Sequence, residues 1–209
     1  MKKNLPKLKS YLNKGQIEAG CDEAGRGCLA GPVVAAAVIL PPGFRHKLVR
    51  DSKTLTEAER EEARAIVLQK ALAYGIGILD NTAIDKHNIL NASFLAMHQA
   101  LQQLSMVPEH LLIDGNRFIA YENICHTCVI KGDNKFYNIA AASILAKTHR
   151  DMLMCQLHEV HPEYGWNVNK GYPTEHHRTA ILQHGITSYH RRSFRLLPEP
   201  LQLDLFTEL

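Results

Sequence analysis

Apolar residues along the chain follow two rhythms. Three early runs, residues 17–21, 33–40 and 74–79, are short, rich in β-branched or apolar residues and bounded by Gly and Pro, which predicts strands. After the second run the period lengthens. Thr56-x-x-Glu59 forms a capping box, and Ala63, Ile66, Val67, Ala71 and Tyr74 recur at helical spacing. A second helix is predicted after Asn88, with Leu90, Phe94, Met97, Leu101 and Leu104 on one face. Residues 110–113 form a short apolar run ending in Asp114-Gly115, and residues 124–130 another ending in Lys131-Gly132-Asp133. A long helix is predicted over 138–160, beginning with an alanine-rich stretch. A shorter one is capped by Thr174 and stopped by Gly185. This order of strands and helices predicts a mixed α/β sheet with helices on both faces.

Acids punctuate the strand ends. Asp22-Glu23, Asp114 and Asp133 each close an apolar run, and in open α/β sheets those carboxyl ends form the binding crevice. Asp151, in the long helix, is a possible fifth acid. Carboxylates without a histidine partner favour hard cations with oxygen ligands, Mg²⁺ or Mn²⁺, over zinc. Gathered together they repel one another and raise some of their own pKa values, which a divalent ion offsets. In a flat strand Asp22 and Glu23 point to opposite faces. Both reach one ion only if the strand ends there and the Gly25 turn re-aims Glu23, or if Glu23 binds through its carbonyl or a water. The turn Gly25-Arg26-Gly27 lets backbone come close to a phosphate or sugar, because no Cβ stands in the way.

At 209 residues, 45% apolar and 22% charged, the chain has the composition of an ordinary soluble protein with one sizeable core. Net charge is only +3, but basic residues crowd both ends: Lys2, Lys3, Lys7, Lys9 and Lys14, then Arg191, Arg192 and Arg195. Such clusters would help hold a phosphate backbone. No apolar run approaches bilayer-spanning length, so the reading is a cytosolic protein with no membrane partner. An odd count of five cysteines argues for reduced thiols rather than a disulfide framework.

The segments Asp22-Glu23-Ala24-Gly25-Arg26-Gly27, Leu29-Ala30-Gly31-Pro32-Val33, Asp51-Ser52-Lys53, Ile113-Asp114-Gly115 and Lys131-Gly132-Asp133 occur in order. They are followed by 139–147 with Arg150-Asp151, by Gly171-Tyr172-Pro173-Thr174 and by 190–194. Together they resemble bacterial ribonuclease HII from about residue 17 to 194. The resemblance implies a ribonuclease H-like catalytic domain over 1–160, a small C-terminal helical extension over 161–198 that contributes to substrate binding, and a loose tail over 199–209. It implies metal-dependent endonucleolytic cutting of RNA paired with DNA, including nicking at single ribonucleotides in duplex DNA. Asp22, Glu23, Asp114 and Asp133 match the family's acidic set. Gly25, Arg26 and Gly27 match the segment that senses the ribose 2′-hydroxyl, Tyr172 the tyrosine that packs on the following sugar, and Lys53 and Lys147 positions near the backbone. Two ions about 3.5–4 Å apart can activate water and stabilise the leaving oxygen in one in-line step, giving 5′-phosphate and 3′-hydroxyl ends. Cys28 and Phe136-Tyr137 depart from the family's usual residues.

Other signals compete less well. Cys125-x-x-Cys128 with His126, and Cys155, His158 and His161, lack two clean ligand pairs for zinc. His176, His177 and His190 read as surface or phosphate-neighbouring residues, and Ser143 as a packing or capping residue. Gln202-Leu203-Asp204-Leu205-Phe206 resembles the peptide by which bacterial replication and repair proteins bind the replicative sliding clamp, with the alternative that it folds back on the body. The chain reads as a monomer. A junction or strand-transfer nuclease of the same fold, and a catalytically inert hybrid-binding module, remain as alternatives.

Overall fold

The structure is a computed structural model and describes residues 8–197. Five strands form one sheet: β1 (Glu18–Ala24), β2 (Val33–Ile39), β3 (Ala73–Leu79), β4 (His110–Asp114) and β5 (Cys125–Val129), in the order β3-β2-β1-β4-β5. The first three pair antiparallel, while β4 and β5 run parallel to β1. Among the described residues six α-helices accompany them: α1 (Glu57–Lys70), α2 (Asn81–His87), α3 (Ile89–Gln102), α4 (Tyr137–Val160), α5 (Trp166–Asn169) and α6 (Glu175–His184).

The predicted two-sided cover is present. All seven residues of β2 are buried, because Val33, Ala35, Ala37 and Ile39 face a core shared with α3, whereas Ala36 and Val38 face one shared with α1 and α4. Small side chains let α4 lie close on the sheet. A Cβ on Gly20 would fall 2.2 Å from the Asn138 carbonyl carbon, so this β1 position admits only glycine. The capping box at Thr56 and Glu59 starts α1 as expected.

Three expectations change. β1 continues through the acids to Ala24 rather than stopping at Cys21, and Tyr74, claimed by both the helical spacing and the run 74–79, belongs to β3, on its exposed side. The seven-residue α2, too short to show a period, was not anticipated; Asp80 caps it by accepting from the Ala83 N–H at 2.7 Å. The bulky Phe136 and Tyr137 are absorbed by packing, Phe136 against Leu112 and Ile139, and Tyr137 edge-on to Phe44. Among the described residues no helix is long and apolar enough to cross a membrane. Beyond α4, Tyr164, Trp166, Ala180 and Ile181 build a separate small core on Leu29, Ala30 and Met154.

Candidate active site

β1 is the central strand, and its last parallel partners put acids side by side. Cys21 pairs with Ile113, so Asp22 and Asp114 follow at equivalent places on adjacent strands. β5 leads into the tight turn Gly132–Asn134, which folds back over β4: the Gly132 N–H donates to Asp114 Oδ1 at 2.7 Å and brings Asp133 under cover. Burial pushes the Asp22 carboxyl well above its ordinary range, and the nearby charges of Glu23 and Asp114 push it further, against the Ser143 hydroxyl and the Glu23 N–H. Glu23 is raised mainly by burial, opposed by Arg26 and Lys53 and reinforced by Asp114. Asp133 is raised by burial and then by the charges of Asp51 and Asp114. The four expected acids therefore share one field.

They are not a closed cage. Among the described residues no three His, Cys, Asp or Glu side chains stand at metal-holding spacing. The two observations are compatible, since charges repel over distances longer than a coordinate bond. Protein donors occupy oxygens of each acid: the Glu23 N–H on Asp22 at 2.7 Å, Arg26 on Glu23 at 3.3 Å, and Asn134 on Asp133 at 3.1 Å. An all-oxygen donor set, buried and mutually repelling, fits a hard divalent cation. The site would be held by Asp22, Glu23, Asp114 and Asp133.

Beside the acids opens a cleft of about 360 Å³, walled by Glu23, the turn 25–27, Ser52, Lys53, Ser143, Lys147 and Tyr172. Gly25 sits at φ +97°, and a Cβ there would meet Arg150 Nε at 2.0 Å, so glycine is required on both counts. Nothing lies within 4 Å of a Cβ on Gly27, which leaves that side of the turn open. Tyr172 is 38% exposed, with Lys147 Nζ 5.7 Å and Arg150 Cζ 6.0 Å from its ring centre. Burial raises the Tyr172 phenol, and the buried Cys28 beside it adds to the shift. Asp151 stands apart from the acids and accepts from Lys147 Nζ at 2.7 Å.

These motifs and this sheet order converge in the comparisons. The family model for Ribonuclease HII matches residues 19–197. The chain belongs to the ribonuclease HII family. It is 60% identical to the ribonuclease HII of Phocaeicola vulgatus and 62% identical to that of Bacteroides thetaiotaomicron, each alignment covering 95% of this chain and 98% of the relative. The ribonuclease HII of Archaeoglobus fulgidus, solved in complex with PCNA, is similar with a TM-score of 0.73 and 25% identity, over 88% of this chain and 98% of that one. Membership makes the protein an RNA–DNA hybrid endonuclease, a hydrolase of phosphodiester bonds, in a family that depends on divalent metal.

Several residues of the site escaped the sequence. Asp51 faces Asp133 through Asn134, whose amide donates to Asp51 at 3.2 Å and to Asp133 at 3.1 Å; its place beside Lys53 was the only hint. Ser143 does more than pack, since it bonds Asp22 and lies 3.0 Å from Ser52 Oγ. Arg150 and Arg191 are buried, yet each guanidinium nitrogen donates to a backbone carbonyl. Burial draws Arg191 down to about 10, so it keeps its charge at neutral pH. His177 and His190 are wholly buried, which overturns the surface reading of both. The expected clamp-binding peptide, Gln202 to Phe206, lies outside the described residues.

Proposed function

We propose that this protein, besides cutting the RNA strand of hybrids, nicks duplex DNA 5′ of single embedded ribonucleotides, leaving 5′-phosphate and 3′-hydroxyl ends. Mg²⁺ or Mn²⁺ would be held by Asp22, Glu23, Asp114 and Asp133; when bound, the ions supply water activation and stabilisation of the leaving oxygen. One observation carries the reading: Glu23 belongs both to the shared field of the acids and to the wall of the Gly25–Gly27 and Tyr172 cleft. Ribose recognition and hydrolysis then address neighbouring bonds. Only the 2′-hydroxyl separates RNA from DNA at one position, and an open glycine turn allows backbone to approach it. Tyr172 would lay its ring on the next sugar. Its exposed ring stands in the cleft wall, so the flat face carries more of this role than the hydroxyl.

Arg26, Lys53 and Lys147 would meet backbone phosphates, with Asp151 orienting Lys147. In this reading residues 1–160 form the catalytic domain and 161–198 an extension that completes substrate binding. The setting is ribonucleotide removal during cytoplasmic DNA replication and repair, by a monomer. Gln202, Leu203, Asp204, Leu205 and Phe206 would dock on the replicative sliding clamp; the PCNA complex of the Archaeoglobus fulgidus relative supports this. Removing 202–209 should abolish clamp binding and leave cutting of short duplexes intact.

The test is a nicking assay on a duplex with one ribonucleotide, in Mg²⁺, in Mn²⁺ and in chelator, beside the all-DNA duplex. Nicking 5′ of the ribonucleotide, only with metal and only in the first duplex, is expected. An enzyme that cuts long hybrids but leaves the single ribonucleotide whole sinks the proposal.

A further inference from the structure

The cleft has two walls from distant parts of the chain, the turn 25–27 and Tyr172. One buried dipeptide stands behind both. Arg191 donates through Nη1 to the Arg26 carbonyl at 3.0 Å, through Nε to Gly31 at 3.0 Å and through Nη2 to Pro32 at 3.1 Å. Its neighbour His190 faces the other wall. His190 Nδ1 accepts from the Thr187 N–H at 2.9 Å, so the ring proton sits on Nε2. That nitrogen lies 3.3 Å from His177 Nε2, which also accepts from Trp166 Nε1 at 3.0 Å. The His177 proton is therefore on Nδ1, which donates to the Tyr172 carbonyl at 3.0 Å. The Trp166 and His190 N–H groups share the one lone pair of His177 Nε2, the indole at the shorter distance, and the chain of bonds ends on the backbone of Tyr172.

The dipeptide is itself fixed. The Arg191 N–H donates to Leu29 at 2.8 Å, Asn81 of α2 donates to the His190 carbonyl at 3.2 Å, and the Asp85 carboxylate accepts from the Arg192 N–H at 2.9 Å. Plain packing needs neither a three-carbonyl fork nor a tautomer-locked pair, and apolar side chains would serve it at lower desolvation cost.

We infer that His190 and Arg191, with His177 as the link, are positioning residues that fix the separation between the ribose-sensing turn and Tyr172, and so set how strongly the enzyme discriminates a ribonucleotide from a deoxyribonucleotide. This rests on the reading of the cleft proposed above. The Arg191 fork holds the Arg26 carbonyl and thereby one wall; the imidazole pair holds the other. Selectivity is then a property of a distance that no residue in the cleft sets by itself.

The experiment compares Arg191→Lys, His177→Gln and His177→Asn in the full-length enzyme. Lysine keeps the charge but cannot span three carbonyls. Glutamine offers an acceptor near the Nε2 position and leaves the Tyr172 carbonyl without its donor, whereas asparagine keeps an N–H near Nδ1. Thermal unfolding verifies that each variant is folded. The readout is the Ki of the all-DNA duplex as competitor divided by KM for the single-ribonucleotide duplex. Loss of folded enzyme changes apparent kcat but not this ratio. Arg191→Lys and His177→Gln should each lower the ratio roughly tenfold, about 1.4 kcal/mol, and His177→Asn, which keeps the Tyr172 contact but cuts the one to His190, should lower it by less than that. Folded variants with an unchanged ratio overturn the inference, and should Arg191→Lys not fold, the His177 pair decides alone. A wild-type ratio near one instead overturns the reading of the cleft itself.

Discussion

At the strand ends, Asp22 and Asp133 are each 5% exposed and lie among other carboxylates. Behind the turn, Arg150 and Arg191 are at least as buried, at 1% and 0%, and all six of their guanidinium nitrogens donate to carbonyls. Both regions bury charge, and the fold treats them oppositely. Buried polar groups are ordinarily satisfied, because an unpartnered one is costly in a low dielectric. The arginines obey that rule and act as scaffold. The carboxylates accept hydrogen bonds as well, but they also lie against like charges that raise Asp22 and Asp133, and a group held against its own stability is the mark of a site awaiting a ligand.

The comparison can be broken most sharply at Asp22. Asp22→Asn should lower hydrolysis of a hybrid roughly 10³–10⁴-fold, the scale of losing a group at the reacting centre. The same change should raise stability by about 1 kcal/mol, or roughly 2–4 °C in Tm, by removing a buried repelling charge. Unchanged or lower stability would show that the acids are already neutralised. Arg191→Met should do the reverse. It leaves three buried carbonyls without donors and should destabilise by roughly 3 kcal/mol, measured by denaturant unfolding.

A third measurement concerns pH. Burial, with His177 and then His161 nearby, holds His190 down at about 4, against 6.5 for an ordinary imidazole. Between those values the unfolded chain binds a proton that the folded chain refuses, so stability falls as pH drops through this window. His190→Gln lacks this dependence. The stability gap between wild type and His190→Gln should therefore narrow by on the order of 2 kcal/mol from pH 7.5 to pH 4.5. A constant gap would mean that the imidazole titrates alike in the folded and unfolded chain. The smallest effect is that of metal alone. Mg²⁺ at several times its Kd should stabilise wild type by about 1 kcal/mol and Asp22→Asn by less. Equal stabilisation would place the ion elsewhere.

Much of the architecture was legible because it depends on local pattern. The apolar runs of β1, β2, β4 and β5 and the capping box of α1 are periodicities and caps that one sequence carries on its face. α2 was not legible, since seven residues hold too few turns for a period. The acids at strand ends could be named from the same pattern, as could the glycine–arginine–glycine turn. Asp51 could not be distinguished from any exposed acid, because only Asn134, 83 residues away, brings it to Asp133.

The sequence alone determined which side chains bring chemistry: oxygen acids closing strands, a turn free of Cβ, and an aromatic before a proline. Tertiary structure decided how those groups are tuned. Asp22 is perturbed first by burial under α4, then by its neighbour Glu23 and by Asp114 from another strand; neither the burial nor Asp114 is a property of its local sequence. Likewise, a histidine or arginine in a polar stretch reads as solvated until folding supplies the carbonyls that let it be buried. Burial and long-range pairing arise from contacts between segments remote in sequence, and these set the energy of a charge far more than its local context does.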